Sequence, residues 1–310
     1  MRIGVVGAGM AGLACGTLLA RHHSVALFDK GRGPGGRMAT RRVATARGEA
    51  SFDHGAQYFT VRDDGFRLQV VGWAAAGVVA RWPGAGAGGE AWVGVPGMNA
   101  PVKQLAAALD VRWGAQVDAL MREGDGWRLR GVGLDAGPFD VVVVAVPAEQ
   151  AGPLVGPWQA DWARRAAAAP ALPCWTVMAA FDAPLGAADV LREDGAIGWA
   201  ARNSAKPGRS GPESWVIQMG AEWSRLHLEE DAEAIVPQVM AAFGARVGGV
   251  LPDVLSVSAH RWRYAKSGKD GSGALWDAGL GLGVCGDWLL GPRVECAWVS
   301  GTGLAAGIGG

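Results

Sequence analysis

Three glycines near the start of the chain, Gly7, Gly9 and Gly12, have the spacing G-x-G-x-x-G. That spacing can hold a dinucleotide. Gly7 permits a tight turn, Gly9 lets backbone approach a pyrophosphate, and Gly12 lets a helix pack closely on the preceding strand. The phosphates then face the helix N-terminus, where free N–H groups and the helix dipole favour an anion. Asp29 closes the next apolar run; a carboxylate there accepts from a ribose 2′-OH and repels a 2′-phosphate. A second Gly-rich stretch, GRGPGGRMAT at 31–40, brings Gly36 and Arg37 directly behind it. Tandem glycines expose N–H groups, and a guanidinium is a fork for phosphate. Far along the chain, Gly286 and Asp287 follow another apolar run and precede a small-residue segment. Two more stretches carry polar and aromatic chemistry. FDHGAQYFT at 52–60 contains His54, Gln57 and Tyr58, and HRWRY at 260–264 alternates His260, Trp262 and Tyr264 with Arg261 and Arg263. In a strand the first three would share one face and the two arginines the other.

The elements that must position these residues are legible from periodicity. RIGVV at 2–6 reads as a short buried strand, 13–21 as a helix and SVALFD at 24–29 as a second strand, the context that gives the glycine spacing its meaning. Residues 101–109 read as a helix, and 111–117 and 127–130 as strands. FDVVVVAV at 139–146 is apolar almost throughout, as in a strand covered on both faces. A small-residue helix is expected over 294–308. The stretches 59–92 and 148–258 lack dinucleotide signals. They hold strand-like pieces at 175–181 and 214–219 and a helix over 229–243, with an apolar stripe through Ile235, Val239 and Phe243 and with Pro237 inside it.

Composition narrows the function further. Basic and acidic residues balance at 29 each, so no surface built to neutralise nucleic-acid phosphates is expected. Four Cys with no C-x-x-C pair and five His with no H-E-x-x-H spacing give no metal site. Residues 3–20 carry no charge, but five glycines in a strand–turn–helix pattern argue against a leader or a membrane span. The expected compartment is the reducing cytoplasm. Fifteen Trp are a large aromatic investment, expected partly in a ligand pocket.

The G-G-R element after the second strand is similar to one in FAD-dependent enzymes of the amine-oxidase type. The strand ending in Gly-Asp before a helix is similar to the motif with which that superfamily holds the ribityl chain and pyrophosphate. Together with GAGMAG, FDK, GPGGRMATRR, FDHGAQYFT and HRWRYA, these make the chain resemble the renalase family, particularly its bacterial branch. The resemblance implies an α/β fold. A discontinuous FAD-binding Rossmann-type domain, like that of amine oxidases and p-hydroxybenzoate hydroxylase, would comprise 1–58, 93–147 and 259–310. A second, mixed-sheet substrate lobe would comprise 59–92 and 148–258. It implies non-covalent FAD and oxidation of 2- and 6-dihydro isomers of NAD(P)H to NAD(P)⁺, with dioxygen receiving the electrons as hydrogen peroxide. Carried over position by position, Ala11, Lys30, Arg37, Gln57 and Tyr58 fall on FAD-contact positions. Gly286 and Asp287 fall on the terminal flavin motif, and Val117 falls where backbone meets adenine. His54, Tyr58, His260, Trp262 and Tyr264 are the candidate substrate-pocket residues. No general base is assigned, because hydride loss from a neutral dihydronicotinamide needs alignment and no proton abstraction. Cys296 departs from the pattern, standing where related sequences often have Gly at the start of the flavin-facing helix. The same FAD parts would also serve a flavin amine oxidase or desaturase, or a non-catalytic flavin binder. A purely NAD-binding dehydrogenase is the reading without flavin.

Overall fold

The computed structural model describes residues 1–309; Gly310, the end of the expected third piece of the FAD domain, lies outside the described residues. The first strand, Arg2–Val6, sits between Ser24–Asp29 and Val141–Val144, parallel to both. Asp110–Trp113 extends the sheet on one side, and Leu282–Val284 and then Leu275–Asp277 extend it on the other; only the last pair is antiparallel. Alternation across Val141–Val144 explains the unbroken apolar run. Val142 and Val144 face a core with Phe28 and Trp127, while Val141 and Val143 face one with Ile3, Val5 and Leu13. The chain is thus a mixed α/β protein with a Rossmann-type sheet, as the glycine pattern implies.

Local differences from the sequence reading have local causes. The run expected at 139–146 divides into Leu134–Phe139 and Val141–Val144. Asp140 marks the break: its N–H donates to the Arg2 carbonyl at 2.8 Å, and its carboxylate accepts from the Arg2 N–H at 2.6 Å. The strand expected over 111–117 stops at Trp113, because Gly114 turns the chain at φ +72°. The helix expected over 101–109 is Ala100–Ala106. The helix expected from 229 starts at Ala232, where Asp231 caps it by accepting from the Ala234 N–H at 2.9 Å.

The second lobe is built on a five-stranded sheet ordered Val190–Asp194, Ile197–Arg202, Glu213–Met219, Leu172–Phe181, Val254–Lys266. A mixed sheet was expected, but every neighbouring pair is antiparallel, since chain reversals join Ile197–Arg202 to both of its neighbours. One face packs Val177, Trp215 and Ile217 against Ile235, Val239 and Phe243 of the helix Ala232–Val247. The other face packs Met178, Ala180 and Val216 against Ala50 and Phe52. Those two belong to the hairpin Thr40–Thr45/Gly48–Asp53, which joins the lobes. The strand Val254–Lys266 runs unbroken through the boundary expected at 258/259. The segment 59–92, expected in the second lobe, contributes Phe66, Val70 and Trp73 to the core that holds Ile3, Val5 and Leu13. No helix among the described residues is long and apolar enough to cross a membrane.

Candidate active site

The glycine turn has the geometry its spacing implies. Gly7 adopts φ +101°, and a Cβ there would meet the Ala145 carbonyl oxygen at 2.5 Å. A Cβ on Gly12 would overlap the Gly7 carbonyl oxygen. Gly9 has nothing within 4 Å of where its Cβ would stand, so its backbone is open to a ligand. The helix Met10–Leu19 that follows has no side-chain cap and no acid in its first turn, which leaves its N–H groups for an anion. Asp29 does more than was expected of it. Its two oxygens accept from the Ala8 N–H at 2.7 Å and the Gly31 N–H at 2.6 Å, tying the two Gly-rich loops together. Lys30, next in the chain, is exposed, and Val117 is half-buried. Ala11 is buried against the C-terminal helix Val294–Gly309 at Gly301.

Arg37 and Asp287 were expected to address phosphate and ribityl hydroxyls. They address each other: Nη1 and Nη2 of Arg37 donate to Oδ2 and Oδ1 of Asp287 at 2.8 and 2.7 Å. Ser267 also donates to Oδ2, at 2.9 Å. The pair joins the second Gly-rich loop to the Gly286–Asp287 loop. The Gly286 N–H donates to Ser300 of the C-terminal helix at 2.9 Å. Gly36, at φ +52°, has open space on its Cβ side.

The 52–60 stretch lies between these loops and the second lobe. A Cβ on Gly55 would overlap the Arg37 carbonyl oxygen, and the Ala56 N–H donates to that oxygen at 2.8 Å. Gln57 is fixed at both ends: its amide donates to the Gly55 oxygen at 3.1 Å, and its carbonyl accepts from Lys206 at 3.1 Å. Lys206 in turn is bonded to Asp53 at 3.2 Å, and Arg209 shares the same oxygen of Asp53. All three side chains of this cluster are fully buried. Thr40 and the Met98 N–H donate to the other Asp53 oxygen, at 2.8 and 2.9 Å. Burial pushes the Asp53 carboxyl up, but Lys206, Arg209 and the two donors outweigh it and hold the group at about 2. Burial pushes the Lys206 ammonium down to about 8, against the pull of Asp53.

Three of the five candidate pocket residues meet as one aromatic wall. His54 stacks on Trp262 with centroids 5.3 Å apart. His260 meets Trp262 edge-on at 4.4 Å and His54 edge-on at 5.1 Å. Trp262 Nε1 donates to the His54 carbonyl at 2.8 Å. Arg261 and Arg263 take the opposite face, on the Leu228 carbonyl and Glu229 respectively, so the alternation expected at 260–264 holds. Tyr264 is half-buried two positions beyond Trp262. Tyr58 packs instead against Trp199, at 5.7 Å. Most of the largest buried Trp, including Trp73, Trp127 and Trp215, serve the core.

Both wall histidines are held neutral. Burial, then the charge of His260 and Arg41, pushes His54 down to about 4, and burial and Arg41 push His260 down. As pH falls from 6.5 towards 4, the unfolded chain takes up a proton that folded His54 refuses. Stability is therefore lost across that window, on the order of 3 kcal/mol for this group. Histidine ring shifts followed by NMR check this: a His54 resonance that titrates near 6.5 in the folded protein would contradict it.

Sequence reasoning missed Asp53, Lys206 and Arg209, whose only signal was two cations within the Ser/Gly/Pro-rich 204–212 stretch. It also missed Glu295, buried at the start of the C-terminal helix. One Glu295 oxygen accepts from the Asp63 N–H at 2.7 Å and from the Arg62 N–H, so that helix holds the entry to Asp64–Ala75. Cys296 beside it is buried.

The open backbone at Gly9 and Gly36, the uncapped helix start and the buried Trp288 Nε1 with no protein partner beside Asp287 fit a flavin dinucleotide. Comparison with known proteins agrees. A family model described as an NAD(P)-binding Rossmann-like domain matches residues 5–69, and one described as flavin containing amine oxidoreductase matches residues 73–276. The chain is similar to the crystal structure of a putative protoporphyrinogen oxidase from Exiguobacterium sp. 255-15. The TM-score is 0.76 at 13% identity, over 99% of this chain and 98% of that one. It is similar also to cyclohexylamine oxidase from Brevibacterium oxydans, with a TM-score of 0.73 at 12% identity over 99% and 98% of the two chains. A putrescine oxidase bound to putrescine gives a TM-score of 0.67 at 14% identity over 99% of each chain. At these identities the likeness is one of fold.

Proposed function

The chain belongs to the family of flavin containing amine oxidoreductases, and from that premise we propose that it oxidises the 2- and 6-dihydro isomers of NAD(P)H with FAD bound non-covalently. The observation that carries this reading is the wall of His54, His260 and Trp262. It offers planar, neutral surfaces beside Gly55–Gln57, suited to a flat, uncharged dihydronicotinamide ring. Neither imidazole is protonated at neutral pH, so the wall does not oppose the positive charge that the ring gains on becoming NAD(P)⁺.

On this reading Gly7, Gly9, Gly12 and the start of the first helix hold the pyrophosphate. Asp29 orders both Gly-rich loops and keeps acceptor capacity for a ribose. Arg37 and Ser267 orient Asp287, which retains a lone pair for the ribityl chain. Gln57, held by Lys206, fixes the Gly55–Tyr58 backbone. Val117 takes the adenine end, and Tyr58 and Tyr264 flank the substrate space. When bound, the flavin supplies the two-electron acceptor that takes hydride and returns the electrons to dioxygen as hydrogen peroxide. The protein's part is alignment and exclusion of water. We place it in the cytoplasm.

A second reading, oxidation of an amine, rests on the family model over 73–276. An anaerobic absorbance titration separates the two. Borohydride-reduced NAD⁺, which contains the 2-, 4- and 6-dihydro isomers, is expected to bleach the flavin band rapidly, and pure 4-dihydro NADH is not. Readmitted oxygen is expected to restore the band and yield peroxide. A flavin left unbleached by the isomer mixture but bleached by a primary amine would replace the first reading with the second.

A further inference from the structure

Arg41 stands apart from the other arginines of its hairpin. Arg42 is paired with Glu49 at 3.6 Å and Arg47 with Asp182 at 3.8 Å. Arg41 has no carboxylate partner among the described residues, although it is half-buried. Its strand position sets where it lies. Arg41 is opposite Phe52, two residues before His54. Alternation puts it on the same face as Val43, which packs on Phe52, Met178 and Val216, the second-lobe face that continues into His260 and Trp262. Its charge is felt by both His54 and His260, and it helps keep both rings neutral. A half-buried guanidinium with five donors and no acid to take them, at the rim of a neutral aromatic wall, is arranged for an anion brought by a ligand.

We propose that Arg41 is the anion subsite of the pocket: its guanidinium takes the pyrophosphate of a dihydronicotinamide dinucleotide whose ring lies against His54, His260 and Trp262. The assignment rests on the proposed function and adds to it the reason a dinucleotide, rather than a bare ring, is the preferred substrate. It is a site separate from the flavin's own pyrophosphate, which the glycine turn and first helix would take.

The test uses the flavin-loaded enzyme, its Arg41→Gln and Arg41→Lys variants, and two substrates reduced with borohydride: NAD⁺ and phosphate-free 1-methylnicotinamide. Anaerobic flavin bleaching is followed against concentration. Loss of one charge-assisted contact is expected to raise the apparent Kd for the dinucleotide about 10- to 100-fold in Arg41→Gln. Arg41→Lys should recover part of it, and the phosphate-free substrate should shift by less than about threefold. An unchanged dinucleotide Kd in Arg41→Gln overturns the subsite, and so does an equal loss with both substrates, which would mean that the wall itself had moved. Binding of inorganic pyrophosphate, measured by calorimetry, keeps the subsite testable if no dihydronicotinamide bleaches the wild-type flavin. Binding that weakens in Arg41→Gln supports the anion site while the proposed function falls, and equal binding overturns the site as well. Flavin content equal to wild type in Arg41→Gln shows that the anion is not the cofactor's, and lowered content overturns the assignment to substrate.

Discussion

Replacing Asp53 by Ala is expected to lower stability by about 3–5 kcal/mol, because it leaves two buried cations without their shared carboxylate. Lys206 and Arg209 are both fully buried, so neither regains water when Asp53 is removed. Thr40 and the Met98 N–H also lose their acceptor. Denaturant unfolding of the apoprotein measures the loss. A second variant shows whether the trapped charge is the cause: Asp53→Ala with Lys206→Met should recover a substantial part of it, since the most weakly held proton leaves with the lysine. An Asp53→Ala midpoint equal to wild type would mean that the cluster contributes no net stability. The pH dependence has a definite sign. The folded carboxyl titrates at about 2, below its ordinary 3.8. Its contribution is therefore complete above the ordinary value and is lost as pH falls through the folded one. The same variant should lower flavin affinity, because Lys206 also holds the Gln57 carbonyl.

Gly301→Val is expected to strip the flavin from a protein that otherwise folds. A Cβ at 301 would overlap the Ala11 carbonyl oxygen, at the crossing of the first and C-terminal helices. Both helices serve the proposed cofactor site: the first presents its N-terminus, and the second holds Gly286 through Ser300. Overpacking of this kind costs about 1–3 kcal/mol, enough for a tenfold or greater loss in flavin affinity if the helices part. Gly303 lies on the same helix with nothing within 4 Å of where its Cβ would stand. Gly303→Ala is thus the matched control, and should keep its flavin. Flavin absorbance of the purified proteins reads both. Equal flavin content in Gly301→Val and Gly303→Ala would show that this close approach has no part in holding the cofactor.

Gly301 and Asp53 differ in how much of their role is visible in the sequence. The glycine turn, the strand–helix–strand start, the doubly covered valine strand and the alternation at 260–264 are local. Steric freedom at a glycine and the periods of helix and strand are written within a few consecutive residues. The small-residue character of 294–308 was legible too, but not its reason, the approach of Gly301 to Ala11. The boundary expected at 258/259 is not a break in the chain: the strand Val254–Lys266 crosses it, because its pairing with Leu172–Phe181 continues on both sides of it.

By itself the sequence determined a dinucleotide-type sheet, the two glycine loops and which side chains could share the 260–264 face, since these follow from backbone sterics and short-range periodicity. Only the tertiary structure decided the partners. Arg37 and Asp287 are two plausible ligand groups in sequence and one ion pair in space. Asp53 acquires its cations from a loop about 150 positions away, and Arg41 is distinctive only because no acid among the described residues pairs with it. Charge pairing in a low-dielectric interior depends on which groups the fold brings within a few ångströms, and that distance has no counterpart in sequence separation.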